Sequence, residues 1–109
     1  MVKRTKILVV DSDLDSLSRI YLALAHRNYK TEVSDRQEEI RERSRRLKPV
    51  VIILGKKEYL SEKDNLKVPV IVLVDRDDNR EFHLGDDCRL LEKPVKLDQL
   101  FRTMDELVI

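Results

Sequence analysis

Apolar residues arrive along this chain in short runs separated by amphipathic stretches. Ile7 to Val10 is one such run, and after the acidic "DSDLD" the residues Leu14, Leu17, Ile20, Tyr21 and Leu24 share one helical face. This predicts a strand and then a helix, capped by Ser12 or Asp13, whose short polar side chains accept the free N–H groups of a first turn. "YKTEVSD" predicts a second, more polar strand. Residues 36–48 predict a second helix, acidic early and basic late as the helix dipole prefers, with Glu39–Arg43 and Glu42–Arg46 one turn apart. Its only strong apolar positions, Ile40 and Leu47, suit the rim of the molecule. "VVIIL", residues 50–54, predicts a third strand buried on both faces, and "VPVIVLV", residues 68–74, a fourth. A fifth is expected around Leu90 and Leu91. The closing stretch "VKLDQLFRTMDELVI" predicts a helix with Leu97, Leu100, Phe101, Met104 and Leu107 inward.

The crossovers at residues 56–67 and 75–87 are near the minimum for joining parallel strands, so the third and fourth helices are expected to be short. Strand and helix alternate five times without a linker, repeat or low-complexity segment. The pattern predicts an α/β fold: a doubly wound five-stranded parallel sheet, helices on both faces, in a single domain over residues 1–109.

Charge changes this picture little. The 22 basic and 21 acidic side chains give a net charge of +1, so no global field draws the chain to nucleic acid or an anionic membrane. The basic run "RERSRRLK" lacks aromatic stacking residues and fits a solvated helix end. No apolar run approaches the ~20 residues of a membrane span, and the start "MVKRTKILVVD" has too few apolar residues for a signal peptide. The single Cys88 excludes an internal disulfide and suits the cytoplasm; it reads as a small packed residue. His26 and His83 have no metal-ligand spacing. No glycine-rich phosphate-binding fingerprint is present.

In such a sheet function gathers at the carboxyl ends of the strands. Those ends read "VVDSD", "IILG", "VLVD" and "LLEKP". Together "KILVVDSDLDSL", "KPVVIILG", "VPVIVLV" and "LLEKPVKLDQL" resemble, in order and over essentially the whole chain, the receiver domain of two-component response regulators. The resemblance implies a flavodoxin-like sheet of order 2-1-3-4-5. It also implies a set of chemical parts: an acidic pair for Mg²⁺ after strand one, an Asp accepting a phosphoryl group at the end of strand three, a hydroxyl ending strand four, an aromatic on strand five, and a Lys-Pro after it. In this sequence Asp11 keeps the first acid, but Ser12 replaces the second, Gly55 stands at the acceptor, Val74 at the hydroxyl and Leu90 at the aromatic. Lys93 and Pro94 remain, with a cis Lys93–Pro94 bond implied.

A glycine has no oxygen to phosphorylate, and one carboxylate plus a hydroxyl is a poor cage for Mg²⁺. The expectation is a pseudo-receiver: a non-enzymatic, cytoplasmic signalling module without cofactor, acting through a protein partner or a fused output domain, with homodimerisation an option. Rival readings are a small-ligand or nucleotide sensor in the vacated crevice, and a metal-dependent phosphoryl acceptor of unusual kind. Asp11 and Asp13 are weak metal candidates, better read as loop acid and helix cap. Asp75 is a poor substitute acceptor, since one step along a strand turns the side chain to the other face. Two readings of Lys93 stand side by side: it pairs with Asp11 in place of a phosphate, near solvent and at a strength of about 0–1 kcal/mol, or it remains because Lys-Pro forms the turn. By family resemblance, the partner face is expected to have Leu84, Leu90 or Phe101 at its centre, with Lys96 and Arg102 at the rim.

Overall fold

The computed structural model describes residues 5–78 and 87–108. Five parallel strands, β1 (Lys6–Val10), β2 (Lys30–Ser34), β3 (Val51–Gly55), β4 (Val70–Asp75) and β5 (Cys88–Lys93), form one sheet in the order β2-β1-β3-β4-β5. Helices α1 (Leu14–His26) and α4 (Leu97–Val108) cover one face, and α2 (Ile40–Leu47) and α3 (Lys56–Glu62) the other. Short 3₁₀ turns at Gln37–Glu39 and Lys63–Asn65 flank α2 and α3. This is the doubly wound arrangement expected from the alternation of runs, in the flavodoxin-like order that the resemblance implies. The expected short helix between β4 and β5 falls largely on residues 79–86, outside the described residues.

Alternation along the central strands divides the core in two. Ile7, Val9, Val51, Ile53, Ile71 and Leu73 point to one face, where they meet Leu17, Ile20 and Leu24 of α1 and Leu100, Phe101 and Met104 of α4. Leu8, Val10, Ile52, Leu54, Val70 and Val72 point to the other, against Ile40 and Leu47 of α2 and Tyr59 of α3. Strands covered on both faces must be apolar throughout, which is why β1, β3 and β4 read as unbroken runs.

Helix ends follow local chemistry. Asp13 caps α1, its Oδ1 accepting from the N–H groups of Asp15 at 3.1 Å and Ser16 at 3.3 Å. On α1 the buried arc is narrower than the apolar pattern: Leu14 and Tyr21 stay exposed because the sheet reaches only Leu17, Ile20 and Leu24. Leu97 at the start of α4 is likewise exposed. Glu39 and Arg43 pair at 3.1 Å as their spacing predicts, whereas Arg46 turns from Glu42 to Glu32 of β2, at 2.7 Å. A carboxylate on the adjoining strand competes with the one a turn away. Among the described residues no helix is long and apolar enough to cross a membrane.

Candidate functional site

The carboxyl ends of β1, β3, β4 and β5 surround a polar crevice of about 240 Å³. Asp11 enters it directly after β1, Gly55 closes β3, Asp75 closes β4 and Lys93 closes β5. Lys93 is followed by a cis peptide bond to Pro94.

Lys93 holds the acids after β1 together. Its Nζ lies 2.9 Å from Asp11 Oδ2, an ionic contact without hydrogen-bond alignment, and donates to Asp13 Oδ2 at 3.2 Å. Asp11 is buried, 2% exposed, and its other oxygen accepts the Asp13 N–H at 2.9 Å. Burial pushes the Asp11 carboxyl above the ordinary carboxylate value, and the Glu58 charge adds to this, against the opposing pull of the Asp13 N–H and Lys93. For Lys93 burial works downward, but Asp11 and Asp13 outweigh it and hold the ammonium above its ordinary value. Asp13 is held below its ordinary value: slight burial works upward and is outweighed by the Ser16 hydrogen bonds and Lys93. The side chains of the Asp11–Lys93 pair are only 3% and 15% exposed, so this is a largely desolvated contact and not the near-solvent pair expected from sequence.

The space beside Gly55 is filled from the neighbouring helix. Glu58, three residues on, is 2% exposed, and its Oε1 accepts the Ser12 N–H at 2.9 Å. A Cβ placed on Gly55 would lie 2.6 Å from Glu58 Oε2 and 2.8 Å from Asp11 Oδ1. The backbone at Gly55, φ −62° and ψ 158°, is open to any residue. The glycine therefore answers a steric demand: two carboxylates occupy the space its side chain would take. Gly55 is the N-cap of α3 and Glu58 its third helical residue, the position from which a Glu commonly reaches back over a helix start. That spacing is the signal in the sequence that could have found Glu58.

Across the crevice Lys56 pairs with Asp78 at 2.6 Å, both side chains largely buried, tying the start of α3 to the segment after β4. Asp75 lines the crevice while Val74 turns into the second core cluster. The sequence reading had these reversed: it placed Val74 at the crevice and turned Asp75 away. Alternation is obeyed, but in the opposite phase. Ser12, exposed, lines the crevice and contributes its backbone N–H to Glu58.

The expected partner face draws on both sides of the sheet, at its β5 edge. Leu84 lies outside the described residues. Leu90, 45% exposed, follows the phase of Cys88, which packs against the α2–α3 side, whereas Phe101 is 9% exposed and packs on the α1 side beneath the Arg27 guanidinium. Lys96 and Arg102 are exposed. The sequence pattern could not separate these residues because the side of the sheet on which each lies depends on strand phase and helix rotation.

A divalent cation does not suit this donor set. The Lys93 ammonium already lies within ionic reach of both Asp11 and Asp13, and the second acid of the expected pair is Ser12. Among the described residues no group of three or more His, Cys, Asp or Glu is arranged to hold a metal.

No family model matches the sequence, and no curated protein matches it either. Solved structures do. A putative response regulator from Chloroflexus aurantiacus J-10-fl superposes with a TM-score of 0.82 at 17% identity, over 97% of this chain and 98% of that one. A response regulator receiver protein from Burkholderia phymatum gives 0.81 at 22% identity, over 96% and 95%. NtrX from Brucella abortus gives 0.77 at 18% identity, over 97% of this chain and 27% of that longer one. With order β2-β1-β3-β4-β5, a cis bond after Lys93 and these likenesses, the chain has the fold of response regulator receiver domains.

Proposed function

We propose that the chain is a pseudo-receiver: a single non-enzymatic, cytoplasmic domain that is not switched by aspartyl phosphorylation and works by binding another protein or an output module in the same polypeptide. One observation carries this reading. Where an acceptor side chain would project from the end of β3, Gly55 leaves room only for the carboxylates of Glu58 and Asp11. The acceptor is not merely absent; its volume is occupied by buried groups with their own partners. Lys93 and Lys56, which would otherwise meet an incoming phosphoryl group, are neutralised by Asp11, Asp13 and Asp78. A pocket already satisfied in this way has nothing to gain from phosphate. That NtrX extends well beyond the matched region supports an output module as one form of partner.

The reading is tested by incubation with acetyl phosphate and Mg²⁺ followed by intact-mass spectrometry. No mass increase is expected. A stoichiometric adduct on Glu58, Asp75 or any other carboxylate overturns it in favour of an unusual acceptor.

A further inference from the structure

We propose that the crevice is proton-operated: in mild acid Asp11 takes up one proton from solvent, donates it as a hydrogen bond to Glu58, and leaves Lys93 to Asp13. The proposal rests on the pseudo-receiver reading above and names the regulation of that same site. At neutral pH the network keeps one arrangement. A proton, and not a phosphoryl group, is what changes it.

Two buried acids meet beside Gly55. Asp11 and Glu58 are each 2% exposed and come from different elements, the residue after β1 and the first turn of α3. Asp11 Oδ1 and Glu58 Oε2 flank the point where a Gly55 Cβ would stand, at 2.8 and 2.6 Å, so they face each other across a gap too small for a methyl group. Each acid accepts one backbone N–H, Asp11 from Asp13 and Glu58 from Ser12, and Lys93 is the ammonium that reaches Asp11. Like charges this close and this far from water favour holding a proton between them, because the proton turns a repulsion into a hydrogen bond. Burial, joined by the Glu58 charge, keeps the Asp11 carboxyl above its ordinary value despite the Asp13 N–H and Lys93.

The other groups around the crevice keep their charge in mild acid or lie in water. Asp13, in the turn into α1, is held below its ordinary value and stays ionised. From α3 come also Lys56, paired with Asp78 beyond β4, and the exposed Lys57. The end of β4 adds Asp75, which is exposed. On the β2 side the Ser34 carbonyl accepts the Asp11 N–H at 3.2 Å, while the Ser34 hydroxyl donates to Glu39, itself paired with Arg43.

Lys93 carries the effect outward. Once Asp11 is neutral it no longer holds the ammonium by charge, and Asp13 Oδ2, already accepting from Lys93 at 3.2 Å, keeps it alone. Lys93 ends β5, and two residues on the Val95 carbonyl accepts Arg19 Nε of α1 at 3.1 Å. A change at Lys93 is therefore passed to the turn between β5 and α4. The sign in stability is fixed as well. Since folded Asp11 titrates above 3.8, the folded chain takes this proton before the unfolded chain does, and falling pH through the folded value makes Asp11 favour the fold, opposite to Asp13.

The test follows side-chain carboxyl carbons and backbone amides of ¹³C,¹⁵N-labelled protein by NMR, from neutral pH into mild acid. Asp11 is expected to titrate above 3.8, with the Lys93 and Val95 amides moving at the same midpoint and those of Ile40 and Leu47 on α2 staying still. Glu58→Gln keeps an acceptor for the Ser12 N–H and turns an amide N–H toward Asp11, so the Asp11 midpoint is expected to fall to lower pH. Asp11→Asn is expected to abolish the shared midpoint at Lys93 and Val95; should that variant fail to fold, wild type and Glu58→Gln decide. Four results would each overturn the proposal: Asp11 titrating at or below 3.8, a midpoint unchanged in Glu58→Gln, Lys93 and Val95 amides that do not follow it, or loss of all dispersed resonances at that midpoint, which is acid unfolding and not a switch. None of these bears on labelling by acetyl phosphate at neutral pH, so failure here leaves the pseudo-receiver reading standing, and a phosphoryl adduct there overturns that reading without any titration.

Discussion

Replacing Gly55 by alanine probes the crevice most sharply, because alanine adds a single carbon and the backbone there accepts it. That carbon would lie 2.6 Å from Glu58 Oε2 and 2.8 Å from Asp11 Oδ1. Comfortable non-bonded separations are about 3.5 Å or more, so one or both carboxylates must retreat by roughly 0.7 Å or more. Glu58 cannot swing away without losing the Ser12 N–H, a charge-assisted bond worth about 1.5–3 kcal/mol. Asp11 is held by the Asp13 N–H and Lys93. Gly55→Ala is therefore expected to destabilise by about 1–3 kcal/mol, the range for overpacking a filled site. In a Glu58→Ala background the principal clash is gone. Gly→Ala there is expected to cost at least about 1 kcal/mol less, offset further by the ~0.4–1 kcal/mol that alanine gains from a less flexible unfolded chain. Urea denaturation of the four proteins gives the coupling directly, and any intrinsic preference for glycine as a helix cap cancels in the cycle. A neutral or stabilising Gly55→Ala, or strict additivity with Glu58→Ala, would refute the claim that these carboxylates fill the acceptor's place.

Other perturbations of the same network have definite signs. Lys93→Met strands the buried Asp11 and is expected to cost about 2–3 kcal/mol, below the ~3–5 of a fully buried pair because Lys93 keeps some solvent contact. Because the folded Lys93 titrates above its ordinary value of 10.5, its stabilisation is complete below that pH and lost as pH rises through the higher folded value. Thermal melts should accordingly lose their alkaline slope in Lys93→Met, and an unchanged slope would count against the pair. Asp13→Ala removes the α1 cap and is expected to cost about 1 kcal/mol by denaturant titration. Since folded Asp13 titrates below 3.8, its contribution is present above that pH and fades as pH falls through the lower folded value, so the cost should shrink in strong acid.

Much of the fold was legible because buried parallel strands and one-sided helices leave strong periodic traces. β3 and β4 show as apolar runs, and Ile20 and Leu24 mark the inner face of α1. That β3 ends in Gly55, with no side chain to offer the crevice, was legible too. The part played by Glu58 was missed: its spacing from Gly55 marks a residue able to reach back over a helix start, but a glutamate in the first turn of a charged helix also reads as solvated, and packing decides that it turns inward. The same holds for Lys56 and Asp78, paired across a crossover with nothing in their spacing to mark them. Burial also decides the weight of Lys93, whose pairing with Asp11 was one of two open readings and whose removal from solvent was not foreseen. Leu90 and Phe101, neighbours in a face drawn by analogy, lie on opposite sides of the sheet.

The central claim is that the crevice is held in one state by its own side chains. A titration of ¹⁵N-labelled protein with Mg²⁺ and acetyl phosphate, read at the amides of Asp11, Ser12, Gly55, Glu58 and Lys93, tests it most directly. The account predicts no saturable shift at any of them. Saturable shifts at these amides, with a second set of resonances growing in as phosphodonor is added, would contradict it.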